Sequence, residues 1–181
     1  SPYKLKYEIF KRLNTGGKPL NSQEVRNCLS SDSLRKALRE MSHLDSFRNA
    51  TGGSIKDVRM ESQELALRFV LFHRKYTADK LLNNYSGNIE SELNSLTEFL
   101  SKEKNFDFKF YIDLFNNAML NSDYLFGKYS FRKCTIQHLQ PGAYRQLINK
   151  ALFVSWSVLL SHYDHKNIKN KNKEKVLAMP M

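Results

Sequence analysis

Glycine, proline and cysteine are scarce in this chain, which has 7 Gly, 4 Pro and 2 Cys among its 181 residues. Few glycines and prolines leave few tight turns, and 24 Leu against 13 Val plus Ile leave few strand formers, so the composition excludes β-sandwiches and barrels. Two cysteines are too few for a disulfide scaffold and lack the spacing of a zinc site, which fits a reducing, cytoplasmic setting. No run approaches the about 18 to 20 apolar residues of a membrane span, so we expect no membrane contact.

Positive charge dominates the sequence: 29 Lys plus Arg stand against 18 Asp plus Glu, a formal net charge of +11. Such a chain attracts polyanions, which makes DNA the expected partner through non-specific phosphate contacts. Most of the excess lies at two ends, with nine cations against four acids in residues 1–40 and five against two in residues 164–175. The lysine-rich end has little to bury, and we expect an exposed basic tail over residues 164–181.

Apolar residues recur at helical spacing along most of the chain, as Leu5, Ile9 and Phe10 do with charged residues opposite them. The pattern predicts one all-α domain over residues 1–181, an irregular bundle of roughly seven to nine helices with at most a minor hairpin near residues 51–59. A loop is expected over residues 49–54. The predicted helices span residues 3–13, 22–29, 34–41, 61–76, 77–85, 89–101, 108–124 and 144–163.

The sharpest predicted loop is Asn14-Thr15-Gly16-Gly17-Lys18-Pro19. Paired glycines accept left-handed torsions at low steric cost, and Pro19 disfavours a helical conformation at Lys18. Asn21 and Glu24 then form a capping-box pattern, in which Asn21 accepts from an orphan N–H and Glu24 reaches back to the cap. We therefore assign Asn21 and Glu24 to structural capping.

The helix after this loop carries Val25, Cys28 and Leu29 on what the helical angles predict to be its apolar, buried face. Polar side chains occupy the opposite face, where they could converge on a phosphate or a base edge, or simply be solvated. Gly16, Gly17 and Lys18 could cradle an anion, although the strand and the ending of a P-loop are missing. The predicted ligand-binding, DNA-binding or junction residues are Arg12, Asn14, Thr15, Gly16, Gly17, Lys18, Gln23, Arg26 and Asn27.

Residues 10–27, FKRLNTGGKPLNSQEVRN, closely resemble a signature of the GmrSD restriction endonuclease N-terminal domain family. The family's usual form is an aromatic residue, Arg-Leu-Asn-Thr-Gly-Gly, two spacers, Leu-x-x-Gln-Glu, an aliphatic residue and Arg-Asn. The helix around Arg68 and the segment 148–153 resemble weaker downstream motifs of the family. The resemblance therefore extends over most of the chain, at uneven strength.

This resemblance implies a role in restriction of modified or foreign phage DNA, as part of antiviral defence. Members resemble ParB and sulfiredoxin-like nucleases in an N-terminal α/β half, whose Asp-Gly-Gln-Gln-Arg motif is linked to nucleotide hydrolysis or DNA cleavage. Since that motif is absent here, we expect this chain to be the helical C-terminal portion of a larger protein, with the Arg-Leu-Asn-Thr-Gly-Gly loop beside a site in the missing half. A nucleotide and a divalent metal would belong to the full-length protein, and none is expected in this portion.

Two histidine features have plainer interpretations. His162 and His165 stand at a spacing that can share a metal ion, but no acid follows in zincin position, and we predict no metal site. Gln137 and His138 resemble the start of the HNH nuclease module often attached to this family, but the acid is replaced, so we expect an ordinary loop histidine. Trp156 lies in the most apolar run and is expected in the core.

The main alternative function is a non-enzymatic protein–protein interaction module, whose apolar faces pair with another subunit or domain while its charge serves solubility. A self-sufficient hydrolase has the least support, because the sequence offers no convincing triad, carboxylate pair or metal cluster. We therefore predict no catalytic residue and no activity for this chain by itself.

Overall fold

The computed structural model describes residues 2–13, 18–56 and 58–170, apart from the side chain of Leu13. In these residues the chain forms helices and no strand, with one isolated antiparallel bridge between Arg132 and Ile148. The predicted all-α class is confirmed. The α-helices are α1 (Pro2–Leu13), α2 (Ser22–Leu29), α3 (Asp32–His43), α4 (Asp45–Thr51), α5 (Glu61–Ala78), α6 (Ile89–Lys102), α7 (Phe108–Phe126), α8 (Lys150–Ser161) and α9 (His165–Lys169).

Two predicted helices are wrong in part because side chains compete for the backbone. The helix expected over residues 77–85 is absent beyond Ala78, since the Asp79 carboxylate accepts from the N–H groups of Leu81 and Asn83 at 3.0 and 2.8 Å and holds a turn. The helix expected from residue 144 begins at Lys150 instead. Asn149 sets that start as the N-cap, accepting from the Leu152 N–H at 3.0 Å.

The region around the second glycine pair also differs from expectation. Residues 49–51, predicted as loop, complete helix α4, which ends where Gly52 adopts a left-handed conformation with φ of 60°. The N–H groups of Gly52 and Gly53 then close the helix end on the carbonyls of Asn49 and Arg48, both at 2.9 Å. Among the described residues no hairpin forms over 51–59.

The helices group into two compact units, and the chain passes from one to the other three times. Unit 1 comprises Ser1–Ser42 and Asp57–Lys109, and unit 2 comprises His43–Lys56 and Phe110–Met181. Unit 1 buries aliphatic and aromatic side chains of α2, α3, α5 and α6, among them Val25, Leu34, Leu65, Phe69 and Leu93. Unit 2 buries an aromatic cluster formed by Phe47, Phe115, Phe131 and Phe153. No described helix combines the length and apolarity that a membrane span requires.

In helix α1 the residues that pack against the rest of unit 1 are not the apolar residues that the spacing pattern selects. Tyr7 is buried and Tyr3 is half-buried, and burial raises the pKa of Tyr3 to about 12. Leu5, Ile9 and Phe10 are 63%, 43% and 43% exposed. The two tyrosines, four residues apart, form the packed face. Leu5 and Ile9 form an apolar strip on the other side that is left in contact with solvent, and Phe10, three residues after Tyr7, is exposed beside the packed face.

The predicted tail is ordered at its beginning. Asp164 caps α9 by accepting from the Lys166 N–H at 2.7 Å, and Ile168 is buried. Asn117 accepts from the His165 N–H at 3.0 Å, which attaches the short helix to α7. Residues 164–170 are therefore ordered, with Lys166 and Lys169 exposed as expected, while residues 171–181 lie outside the described part of the chain.

Candidate functional site

The predicted capping box is present at the start of α2. The Asn21 side chain accepts from the Glu24 N–H at 2.8 Å, and the Glu24 carboxylate accepts from the Asn21 N–H at 2.7 Å. Both orphan donors are satisfied by side chains that lie three residues apart, so the motif needs no tertiary partner. The assignment of these two residues to capping is confirmed. The predicted loop residues Asn14, Thr15, Gly16 and Gly17 lie outside the described residues.

Arg59 fastens the capping box to the segment before α5. Its guanidinium donates to both Glu24 carboxylate oxygens, at 2.8 and 3.3 Å, and also to the Pro19 carbonyl. In return the Asn21 side-chain amide donates to the Arg59 carbonyl at 2.9 Å. The Arg59 hydrogen bond lowers the pKa of Glu24 below its ordinary value. The exit of the double-glycine loop is thus held at several points by one arginine.

We expect the charge of Glu24 to stabilise the fold at neutral pH and to lose that effect in acid. Because its folded pKa lies below the ordinary 4.5, the contribution is complete above pH 4.5 and disappears as the pH falls through the folded value. Glu24→Gln should therefore reduce the free energy of unfolding by about 0.2 to 1 kcal/mol at neutral pH, the range measured for solvent-accessible pairs. Urea unfolding at a series of pH values measures this.

The matched control for this experiment is Glu40→Gln, which removes an exposed carboxylate from α3. The stability difference between wild type and Glu24→Gln should shrink as the pH falls, while that for Glu40→Gln stays near zero throughout. A Glu24→Gln deficit that persists unchanged at low pH would show that the charge of Glu24 is not its cause.

Arg26 lies in the interior of unit 1, with a side-chain exposure of 0%. Its Nε donates to Gln23 Oε1 at 2.9 Å, and its Nη1 donates to Glu90 Oε2 at 2.8 Å and to Asn94 Oδ1 at 3.3 Å. Its Nη2 lies 3.4 Å from Glu64 Oε2. The planar guanidinium therefore connects α2 with α5 and α6 and has carboxylates of two helices as counter-ions.

The expected orientation of α2 is wrong in part. Gln23 and Arg26, predicted on the outer face, are buried beside Val25, whereas Cys28, predicted on the buried face, is exposed. The helical angles alone favour the apolar side, but the carboxylates of α5 and α6 make burial of the arginine favourable. Asn27 is half-buried.

Two predicted ligand residues remain at the surface of unit 1. Arg12, at the end of α1, and Lys18, just after the loop, are both exposed. The structure thus separates the predicted constellation into a buried pair, Gln23 and Arg26, and exposed cations that flank the loop. The buried pair is occupied by the protein's own groups, and the exposed cations are accessible to a ligand.

Unit 2 contains a second buried arginine, Arg132, which sequence reasoning missed. It is 5% exposed, and its Nε donates to the Gln146 carbonyl at 2.7 Å. Its Nη1 donates to the Ser130 carbonyl at 2.8 Å, and its Nη2 donates to the Thr51 carbonyl at 2.7 Å and to Ser54 Oγ at 2.6 Å. These partners are neutral oxygens. Burial, followed by the charge of Arg145, lowers the pKa of Arg132.

Beside Arg132 lies a cavity of about 260 Å³, which we call the cationic cavity. His138, predicted as a loop histidine, lies in its wall within a 3₁₀ turn over Ile136–Leu139, where its Nδ1 accepts from the Thr135 N–H at 3.0 Å. No acidic side chain of the described residues lines the cavity. Its charged, titratable and aromatic lining residues are Lys128, Tyr129, Arg132, Cys134, His138, Tyr144 and Arg145.

The sequence holds a signal for this cavity that was overlooked. From Tyr124 to Tyr163 there is no Asp or Glu, while the same 40 residues contain five Lys or Arg. The distribution of charge by segment instead draws attention to residues 1–40 and 164–175, which hold most of the excess positive charge. A run without Asp or Glu predicts cationic side chains that have no acidic neighbours in sequence. The cavity wall, which has cations and no acidic side chain among the described residues, fits this prediction.

The other histidine feature has a structural role. His165 Nδ1 lies 2.9 Å from Asn121 Oδ1, and burial lowers the pKa of the ring. In the described part of the chain no group of three or more His, Cys, Asp or Glu side chains is arranged to hold a metal ion. Trp156 is half-buried and packs edge-on against Phe126 with ring centroids 4.9 Å apart.

Comparisons of this chain with protein-family models, with curated proteins and with solved structures find no match. The resemblance to the GmrSD family therefore stays a prediction that rests on the residues of the loop and of α2.

Proposed function

We propose that this chain is a helical, DNA-binding portion of a restriction or defence protein, and that it binds nucleic acid through phosphate contacts. The observation that carries the proposal is the acid-free run in unit 2, where Lys128, Lys133 and Arg145 are exposed. A surface with cations and no nearby carboxylates attracts phosphates and releases their counter-ions on binding. The formal net charge of +11 supports the same interpretation.

The double-glycine loop has a second part in this proposal. Arg59, Glu24 and Arg26 hold the flank of the loop and helix α2 rigidly in unit 1, while Arg12 and Lys18 stay exposed beside the loop. A rigid frame with accessible cations suits the positioning of a phosphate-bearing ligand or a junction with a catalytic half. Such a catalytic half would bind the nucleotide and the divalent metal.

The alternative of a protein–protein interaction module is favoured by one observation. Helix α1 presents an apolar strip of Leu5 and Ile9 to solvent, with Phe10 exposed at some distance around the helix, and exposed apolar residues of this kind often mark a protein interface. The two functions differ in what binds and where, because the strip lies in unit 1 and the acid-free run lies in unit 2.

We expect the purified chain to bind duplex DNA without sequence preference, with a dissociation constant on the order of 10⁻⁴ to 10⁻⁶ M near physiological salt. Affinity should fall steeply between about 50 and about 200 mM salt, because several phosphate contacts each release a counter-ion. The triple variant Lys128→Gln, Lys133→Gln, Arg145→Gln should lose most of this binding. Fluorescence anisotropy with a labelled duplex measures both effects.

The matched control removes three exposed lysines from unit 1, Lys36, Lys80 and Lys104, by the same change to Gln. Both triple variants lower the net charge equally, so a much larger loss from the unit 2 variant supports the proposed surface. Absence of binding at low salt would contradict the proposal and favour the interaction module.

A further inference from the structure

We propose that the cationic cavity of unit 2 is a discrete binding site for a phosphomonoester, the phosphate group carried by a mononucleotide or by the end of a nucleic-acid strand. This inference goes beyond non-specific duplex binding, which needs only a diffuse cationic surface. It rests on the geometry of Arg132, Arg145 and His138, and on a glycine that lets one of these side chains approach.

The two buried arginines of this chain differ in how their charge is balanced. Arg26 in unit 1 faces Glu90 at 2.8 Å and Glu64 at 3.4 Å. Arg132 in unit 2 is also buried, but its hydrogen-bond partners are three carbonyls and a hydroxyl. A buried cation without a counter-ion is costly, and a bound anion would provide the missing negative charge.

A second guanidinium adds to this uncompensated charge. Arg145 lines the same cavity and lowers the pKa of Arg132 through the repulsion of like charges. It donates from Nη1 to the Gly52 carbonyl at 3.0 Å, and since a guanidinium carries five N–H donors it retains donors for a ligand. An anion between the two arginines would relieve their repulsion, so its binding should stabilise the fold.

His138 contributes a directed donor to the cavity wall. Its Nδ1 accepts from the Thr135 N–H at 3.0 Å, so the neutral ring carries its proton on Nε2. With Arg145 and Lys128 it supplies N–H groups from three separate side chains. A phosphomonoester, with three terminal oxygens and up to two negative charges, matches such a set better than a carboxylate does.

The size and the aromatic wall of the cavity point to more than a bare anion. The cavity volume of about 260 Å³ is several times larger than the volume of one water molecule in the liquid, which is about 30 Å³. Tyr144 lines the cavity and is 92% exposed, which leaves its ring free to stack on a base or sugar. These features favour the phosphate of a nucleotide over inorganic phosphate.

Gly52 permits the position of Arg145. A Cβ atom at Gly52 would lie 1.8 Å from Arg145 Nη2, whereas a Cβ atom at Gly53 would meet nothing within 4 Å. Both glycines have positive φ, 60° and 66°, so alanine is strained to a similar degree at either position. Alanine at Gly53 therefore introduces backbone strain alone, whereas alanine at Gly52 introduces similar strain and also displaces Arg145.

The test is isothermal titration and thermal unfolding of the full chain with adenosine 5′-monophosphate, inorganic phosphate and adenosine. Adenosine 5′-monophosphate should bind and raise the melting temperature, inorganic phosphate should do so more weakly, and adenosine should have no effect. Arg145→Gln should weaken binding of the monophosphate about ten- to a hundredfold, as the loss of a charged hydrogen bond implies. Lys166→Gln, an equal change of charge on the exposed side of α9 and outside the cavity wall, should leave it unchanged.

The glycine pair provides a second readout that does not alter any charge. Gly52→Ala should weaken binding of the monophosphate, while Gly53→Ala should lower thermal stability to a similar extent without changing the affinity. Equal effects of Arg145→Gln and Lys166→Gln, equal binding of adenosine and its monophosphate, or no binding of either would overturn the proposal.

Two oligonucleotides identify the source of the phosphate. If a single strand with a 5′-phosphate binds more tightly than both the 5′-hydroxyl strand and the mononucleotide, the ligand is a strand end; if the mononucleotide binds at least as tightly, it is a free nucleotide. Either result supports the site. Duplex binding without monophosphate binding would refute this inference and leave the proposed function standing, and the reverse result would refute the proposed function.

Discussion

Arg26→Ala should reduce the free energy of unfolding by about 3 to 5 kcal/mol, the range observed when one member of a buried ion pair is removed. The side chain is fully buried and connects Gln23, Glu64 and Glu90. Its removal leaves an interior gap and deprives two carboxylates of a partner. Glu64 retains its pair with Arg68 at 2.9 Å, and the Glu90 side chain is 46% exposed to water, so the loss should lie at the lower end of that range.

The conservative variant Arg26→Lys tests the geometry of the same network. A lysine carries a compact point charge and lacks the fork, so it cannot satisfy Gln23 and both carboxylates together. We expect a loss of about 1 to 3 kcal/mol, the cost of one buried polar group left without a partner. The comparison of Lys with Ala therefore separates the charge of Arg26 from its shape.

Arg35→Ala is the matched control for both Arg26 variants, because Arg35 makes an exposed pair with Asp32 on α3. Exposed pairs contribute about 0 to 1 kcal/mol, and the control should stay within that range. Urea unfolding followed by far-UV circular dichroism measures all three variants. A loss for Arg26→Ala no larger than that of Arg35→Ala would contradict the structural role of the network.

Phe153→Ala should cost about 3 to 5 kcal/mol, as is usual for deletion of a buried aromatic ring. Phe153 is 0% exposed, and its ring centroid lies 4.6 Å from that of Phe131, 6.0 Å from Phe47 and 6.2 Å from Phe115. Three rigid aromatic rings surround the side chain, and their packing limits how far they can collapse into the space. The resulting cavity adds to the lost transfer free energy.

The single Trp of the chain, Trp156, belongs to unit 2 and reports on this variant by fluorescence. Leu147→Ala is the control, because Leu147 is 87% exposed and its truncation should change stability by less than about 0.5 kcal/mol. If the Trp156 transition of Phe153→Ala coincides with that of Leu147→Ala, the aromatic cluster does not stabilise unit 2. Coincidence of the Trp156 and circular dichroism transitions would indicate that the two units unfold together.

Much of the secondary structure could be predicted, because its causes are local. The apolar spacing of Leu65 and Phe69 predicts α5, and the pair Asn21 and Glu24 predicts the start of α2 with its capping hydrogen bonds. The errors also have local causes that periodicity does not register. The Asp79 side chain holds its own turn, and the Asn149 cap delays the start of α8.

The candidate sites depended on contacts that no window of sequence contains. Arg26 is buried because Glu64 and Glu90 reach it from 38 and 64 residues further along the chain. Arg132 is enclosed because it donates hydrogen bonds to Thr51 and Ser54, which precede it by 81 and 78 residues in the sequence. A polar helix face predicted as outward was therefore partly buried, and the charged cavity was overlooked.

The sequence by itself determined the all-α class, most helix positions and the capping box, because a 3.6-residue period and caps depend on residues a few positions apart. Only the tertiary structure decided that Tyr3 and Tyr7, rather than Leu5 and Phe10, pack against unit 1, and that one buried arginine has carboxylate partners while the other does not. Burial of a charge depends on the desolvation of that group and on the partners that distant segments bring to it. Those partners become neighbours only when the chain has folded.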